Sequence, residues 1–159
     1  RTQRRIAKRN ADLVMNVAPA RRSDELFELY ARYLGGRHPD SPMAEPTHEE
    51  FDAFLIGDWS PTRFFEWRLR DRLVAVAVTD VTPNALSAVY TFFDPDFGPR
   101  SLGTQALLGQ IDWARATARP HLYLGFWLKG HPKMDYKRRF RPLERLWNGH
   151  WIAFDEDTA

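Results

Sequence analysis

Residues 86–127 read LSAVYTFFDPDFGPRSLGTQALLGQIDWARATARPHLYLGFW, and this stretch decides the fold. Leu86 to Phe93 is rich in aromatic and β-branched residues, which predicts a strand. A turn holding Pro95, Gly98 and Pro99 follows. Ser101 to Thr117 then carries Leu107, Ile111 and Ala114 at i, i+4 and i+7, the period of a helix. Pro120 closes that helix, and His121 to Trp127 is again an apolar strand. Strand, helix and strand in this order make a right-handed crossover when the two strands are parallel neighbours.

Working upstream, Leu73 to Asp80 and Thr62 to Leu69 are two more strands, separated by a hairpin turn at Arg70-Asp71-Arg72. Asn84 sits in the next turn. Thr47-x-x-Glu50 is a capping box, and Phe51, Phe54 and Leu55 form the apolar side of the helix it starts. Ser23 caps a helix to about Leu34, with Leu26, Tyr30, Tyr33 and Leu34 on one face and Gly35-Gly36 as its stop. Arg37 to Pro46 is a loop with three prolines. Ala11 to Val17 is a first strand that Pro19 ends. Downstream, a short helix is expected at about Lys133 to Arg139, and a last strand at His150 to Phe154. Helices, three antiparallel strands, a helix and a strand define an α+β class. The length of 159 residues suits one domain over 1–159.

Composition bounds the function. Hydrophobic content of 43% and charged content of 28% are globular values. The absence of cysteine excludes disulfides and thiolate zinc sites from these residues. The five histidines show no ligand spacing, so no metal is expected here. No apolar run approaches the roughly 18 residues of a membrane span. No signal peptide opens the chain. The expected location is cytoplasmic, with no membrane partner. Net charge is only +2, but it is unevenly spread. Arg1, Arg4, Arg5, Lys8 and Arg9 open the chain, a second basic block spans 129–145, and Asp155-Glu156-Asp157 is acidic. Such patches suit either a solvated face or a polyanion.

The second basic block is HLYLGFWLKGHPKMDYKRRFRP, residues 121–142. An apolar strand breaks at Gly130 and Pro132, and a cationic-aromatic segment follows: Lys133, Tyr136, Lys137, Arg138, Arg139, Phe140 and Arg141. Cations neutralise phosphates and aromatic faces stack on bases. The wording, tyrosine-leucine-glycine-aromatic, then lysine-methionine-x-tyrosine-lysine, then phenylalanine-arginine-proline, resembles the aminoacyl-tRNA–protein transferases. These are the arginyltransferases of eukaryotes and the aspartate/glutamate leucyltransferases of bacteria. Ser87 to Pro95 with Ser101-Leu-Gly-Thr104 resembles a second block of that family. Arg32-Tyr33, Arg37-His38 and Met43 resemble a third. The blocks stand in the family's order and cover nearly the whole chain.

Two departures stand out. The family usually carries an additional N-terminal region rich in cysteine pairs, and Arg1-Thr-Gln-Arg-Arg5 resembles the junction after it. The chain is therefore expected to be the C-terminal catalytic portion of a longer protein. A metal or iron–sulfur cluster would belong to that other region, and no cofactor is expected in these residues. His131 stands where relatives commonly have a cysteine.

The resemblance implies the GNAT-type acyltransferase fold, of which the crossover at 86–127 is the core. It implies transfer of an aminoacyl group from aminoacyl-tRNA to proteins that begin with Asp or Glu, which marks them for degradation in the N-degron pathway. GNAT enzymes hold pyrophosphate where their crossover helix begins, and free amides at a helix start bind anions. Here Arg100, Ser101, Leu102, Gly103 and Thr104 occupy that place, with Gln105 where the family's loop ends in glycine or alanine. They are expected to hold the 3′ phosphates and adenosine of a tRNA, or else to be plain cap residues. Tyr90 and Asp94 are expected to face the donor cleft and take part in catalysis. The alternative is that Tyr90 is core and Asp94 caps the turn before Pro95. Tyr136 closes the cleft, stacks on a base, or packs its helix. Arg37, His38 and Arg141 are the candidates for the acceptor's carboxylate, because guanidinium pairs carboxylate at two points. Lys133, Lys137 and Arg139 are the candidates for tRNA phosphates. Gly125, unfavourable inside a strand, marks either a close approach or a bulge.

Leucine is favoured as the donor residue, since an arginyl side chain would want an acidic cluster and the only one is in the tail. The alternatives are an arginyl donor, an acyl-CoA-dependent N-acetyltransferase on the same scaffold, and a tRNA-binding domain without catalysis. Oligomeric state is not legible.

Overall fold

A computed structural model describes residues 2–37, 44–57, 59–132 and 134–154. The chain divides into two compact units, one up to Tyr123 and one from Leu124.

The first unit is an α+β sandwich around a five-stranded sheet. Its elements are α1 (Thr2–Arg9), β1 (Leu13–Pro19), α2 (Asp24–Arg37), α3 (His48–Leu55), β2 (Thr62–Leu69), β3 (Arg72–Val81), β4 (Ala85–Phe93), a 3-10 segment (Pro95–Arg100), α4 (Leu102–Ala116) and β5 (His121–Tyr123). The strands lie in sequence order, β1 to β4 antiparallel and β5 parallel to β4. The crossover through α4 is therefore present, with Ala85 opposite His121 and Ser87 opposite Tyr123.

Each sheet face carries its own core. Leu29, Tyr30, Tyr33 and Leu34 of α2 and Phe51 and Leu55 of α3 pack on Phe64, Val76, Val78 and Phe92. On the other face, Leu102, Ala106 and Ala114 of α4 pack on Phe65, Trp67, Ala75, Ala77 and Leu86. Burial of this apolar surface is the dominant stabilising term. Gly109 marks where α4 crosses closest to the sheet, since a Cβ there would lie 2.6 Å from the Trp67 ring.

Two bulges set which side chain meets which face, because side chains alternate along a strand and one inserted residue reverses them. The first falls where Trp67 pairs with Ala75 and Arg68 with Leu73, so Val74 is the extra residue and both Val74 and Ala75 reach the α4 face. The second falls where Val78 pairs with Tyr90 and Thr79 with Ala88, leaving Val89 over. Leu86 therefore faces α4, while Tyr90 and Phe92 face α2 and α3.

Several expectations change. Residues 2–9 form a helix, with Ile6 buried, where only a basic run was read. Gly35 and Gly36 lie inside α2, which continues to Arg37. Glycine costs a helix only about 1 kcal/mol, far less than proline, and a Cβ at Gly36 would sit 3.3 Å from the Pro95 ring. The capping box at Thr47 and Glu50 forms as read. The fourth main strand is much shorter than His121 to Trp127, because β5 ends at Tyr123 and Gly125 turns with φ of 73°.

The second unit holds a 3-10 turn (Asp135–Arg139) and a hairpin of β6 (Glu144–Trp147) and β7 (His150–Ala153). The helix expected at Lys133 to Arg139 is this shorter 3-10 turn. The last strand has a partner, β6, that was not foreseen. Trp127 and Phe154 meet edge to face at 5.1 Å, and Phe140 is buried. Among the described residues no helix is long and apolar enough to cross a membrane.

Candidate functional site

The first unit presents its distinctive geometry at the C-terminal end of β4. Pairing with β5 stops at Ser87 and Tyr123. The remainder of β4, Ala88 to Phe93, is bonded to β3 on one side and, among the described residues, pairs with no strand on the other. Its backbone then runs into the 3-10 segment and the start of α4. This half of β4 thus leads toward a helix N-terminus, whose amides carry partial positive charge.

Ser101 precedes α4 in the left-handed conformation, φ 55° and ψ 50°, and its side chain makes no cap hydrogen bond. Thr104 N–H and Gln105 N–H both donate to the Ser101 carbonyl. The amides of Leu102 and Gly103 are therefore left unclaimed by the usual side-chain cap. A Cβ at Gly103 would meet only the Phe93 ring, at an ordinary 3.5 Å, so packing does not demand glycine there. Arg100 points elsewhere. Its guanidinium grips the Asp12 carboxylate at two points, 2.7 and 2.9 Å, and holds that carboxyl below the usual range.

Asp94 realises the cap reading. Its carboxylate is fully buried and accepts from the Asp96 amide at 3.1 Å. Arg32 at 3.1 Å and Arg72 at 2.5 Å both pair with its Oδ2. Such a carboxylate is a positioning group that ties α2 and β3 to the end of β4, since no face of it is open to a substrate. Arg72 also lies over the Phe97 ring at 5.2 Å.

Tyr90 lies on the α2/α3 face. Its hydroxyl shares a hydrogen bond with that of Tyr33, and the Arg37 charge reaches both phenols. Burial pushes both above the ordinary tyrosine range, so each keeps its proton and can act only as a donor or a neutral acceptor. Phe54 meets Tyr90 edge to face at 5.1 Å. Tyr30, Leu34, Pro46, Glu50, Ala53 and Phe54 line a concavity of about 400 Å³ beside this group. Among the described residues that line it, Glu50 is the one carboxylate, and it accepts from the Thr47 amide at 2.8 Å.

In the second unit, Lys137 Nζ donates to the Phe126 carbonyl at 2.5 Å, and burial lowers the pKa of its amine. A carbonyl therefore takes one of the three N–H donors of this cation. The Arg141 guanidinium donates to the Arg138 carbonyl at 2.5 Å and lies over the Phe154 ring at 4.9 Å. Arg138 pairs with Asp135 at 2.9 Å. Tyr136 and Arg139 belong to the same 3-10 turn, and Tyr136 is partly exposed. His38 and Lys133 lie outside the described residues.

The sequence pointed to Tyr90 and Arg37 as site residues, and the structure brings the two together. Tyr33, expected only to pack, is Tyr90's hydrogen-bond partner. Arg32, read only as part of a family block, and Arg72, not singled out, are the cations on Asp94. An arginine next to the buried Tyr33 was the available signal for the first, but nothing local marks Arg72.

The fold is that of acetyltransferases of the GNAT type. An aminoglycoside acetyltransferase from an uncultured soil metagenomic sample superposes with a TM-score of 0.56 at 11% identity, covering 84% of this chain and 90% of the other. The ribosomal-protein-S18-alanine N-acetyltransferase from Escherichia coli does so with 0.54 at 19% identity, over 79% of this chain and 76% of the other. Residues 25–147 match the family described as arginine-tRNA-protein transferase, C terminus, and the chain belongs to this family. A relative from Stenotrophomonas maltophilia (strain K279a), an aspartate/glutamate leucyltransferase, is 55% identical over 163 aligned residues. The alignment covers 99% of this chain and 65% of that relative's length.

Proposed function

We propose that this chain is the catalytic portion of an enzyme that transfers leucine from leucyl-tRNA to the N-terminal Asp or Glu of an acceptor protein. The observation that carries the reading is the half of β4 beyond its pairing with β5, which leads to the start of α4, where the Ser101 side chain caps neither the Leu102 nor the Gly103 amide. The 55% identity to a leucyltransferase supports an aminoacyl-tRNA as the substrate class. The 3′ phosphates of the tRNA end would lie on those amides. The concavity beside Tyr90 supports leucine over arginine, because its lining is apolar and its one carboxylate is already hydrogen-bonded.

The reaction needs alignment more than activation. The acceptor's α-amine attacks the ester carbonyl. A carbon–nitrogen bond forms, the carbon–oxygen bond to the ribose breaks, and the proton shed by the amine ends on the ribose oxygen. Tyr90, protonated throughout, turns its single O–H from Tyr33 to the oxyanion of the tetrahedral intermediate. Arg37, exposed at the end of α2, pairs with the acceptor's side-chain carboxylate. Arg141, His38, Lys133, Arg139 and Tyr136 are held as further contacts to the acceptor and the tRNA. Lys137 and Arg100, already engaged by a carbonyl and a carboxylate, are assigned to positioning. The reaction belongs in the cytoplasm, where tRNA is charged, and feeds N-degron degradation.

The test incubates the intact protein with a peptide that begins with Asp and with labelled Leu-tRNA or Arg-tRNA. Label on the peptide from Leu-tRNA, and little from Arg-tRNA, is expected. Transfer from Arg-tRNA alone would replace the donor. Acetylation from acetyl-CoA without use of either tRNA would replace the reading.

A further inference from the structure

Helix α1 is charged in a way that works against its own stability. Arg4 stacks on Lys8 and Arg5 on Arg9 at i, i+4, and like charges at that spacing repel along a helix. Arg4 and Arg5 also sit in the first turns, where the helix dipole disfavours cations, and the first turn has no acidic residue. All four cations are exposed. Among the described residues none of the four has a carboxylate partner.

The helix is nevertheless held in one orientation. Ile6 is buried, and α1 packs on α4. Asn10, also buried, donates from its side-chain amide to the carbonyls of Ile6 at 3.0 Å and Arg100 at 2.9 Å. Arg9 donates to the Pro99 carbonyl. The Arg100–Asp12 pair closes the same joint. These bonds bridge about ninety positions of sequence and fix the C-terminal end of α1 against the chain that leads into Ser101. A rigid row of unneutralised cations thus starts beside the amides of α4 and runs away from them, stepping on the order of 6 Å per i, i+4 pair.

We infer that the exposed face of α1, carried by Arg4, Arg5, Lys8 and Arg9, is a docking surface for the phosphate backbone of the tRNA whose 3′ end lies at the start of α4. The inference rests on the functional reading above and adds the partner's second contact. A polyanion supplies the negative charge that the helix lacks, and it explains why the cations are placed in repelling pairs. An anionic membrane would supply charge as well, but a helix that lies on a bilayer needs an apolar face to insert. Here that face, Ile6, is turned to α4 and buried.

The test measures binding of tRNA to the intact protein across a range of salt concentrations. Removing one phosphate-binding cation lowers the slope of log affinity against log salt by about 1. The triple variant R4Q/R5Q/K8Q is expected to bind tRNA more weakly and with a slope smaller by about 3. The charge-retaining R4K/R5K variant is expected to keep the wild-type slope. The thermal midpoint of the triple variant is not expected to fall, since repulsion is removed and Ile6 remains. A triple variant with the wild-type slope, in a protein that binds tRNA, overturns the inference alone. So does a triple variant that loses only binding to vesicles of phosphatidylglycerol and phosphatidylcholine. A wild-type protein that binds no tRNA overturns the functional reading and this surface with it.

Discussion

Tyr90 owes its surroundings to its neighbour Val89. With Val89 as an extra residue in β4, Tyr90 turns toward α2 and shares a hydrogen bond with Tyr33. Without the bulge the same ring would point at α4. Replacing Tyr90 by Phe keeps the ring packed and removes one donor. Loss of a single oxyanion donor typically costs about 100-fold or more in rate. Y90F is therefore expected to slow single-turnover leucyl transfer by about 100-fold, with tRNA affinity little changed; a rate within about twofold of wild type would remove Tyr90 from the chemistry. Burial keeps the phenol protonated beyond the ordinary tyrosine range, which begins near about pH 10. Any alkaline inflection below that pH belongs to another group and should stay in place in Y90F.

At the scale of elements, α2 shows how packing overrides local preference. Two glycines near its end do not stop it, because Leu29, Tyr30, Tyr33 and Leu34 bind it to the sheet. Its first turn is also tied down. Glu25 pairs with Arg68 of β2 at 3.0 and 2.6 Å and accepts from the Leu73 amide at 3.3 Å. The Arg68 hydrogen bond holds the Glu25 carboxyl below the usual range. A carboxyl with a lowered folded pKa is protonated first in the unfolded chain. Its stabilisation is present above the unfolded value of about 4.3 and is lost as pH falls through the lower folded value. E25Q should therefore be less stable than wild type at pH 7, and its urea midpoint should fall less between about pH 5 and the acid limit. Parallel curves for the two proteins would show that the pair contributes nothing, as many exposed pairs do.

For the whole molecule, Asp94 is the point where distant parts of the first unit meet. It joins α2 through Arg32, β3 through Arg72 and the 3-10 segment through the Asp96 amide. Removing one partner of a buried pair typically costs about 3–5 kcal/mol. Both guanidinium groups here are about half exposed, 46% and 51%, and water can hydrate them. D94N is therefore expected to lose about 3 kcal/mol in urea unfolding, and leucyl transfer should fall in proportion to the folded fraction. A stable variant that has lost transfer would instead make Asp94 a group that touches substrate.

The elements along 62–117 were legible because each satisfies a local rule: aromatic and β-branched enrichment in strands, the 3.6-residue period in α4. The capping box at Thr47 was legible in the same way. So was the turn that leads into α4, since proline and glycine between a strand and a helical period mark a turn wherever they occur. Residues 2–9 hid their helix because Ile6 is a lone large apolar residue among the cations and has no period to show. The run from His121 to Trp127 hid its end because a single glycine can sit in a strand or leave it. By itself the sequence determined the α+β class and the crossover. Only the tertiary structure decided that Tyr90 faces Tyr33, that Asp94 is spent on two arginines and that Arg100 is spent on Asp12. Bulges, buried ion pairs and helix docking depend on partners tens of positions away, and no local pattern of residues encodes where those partners come to rest.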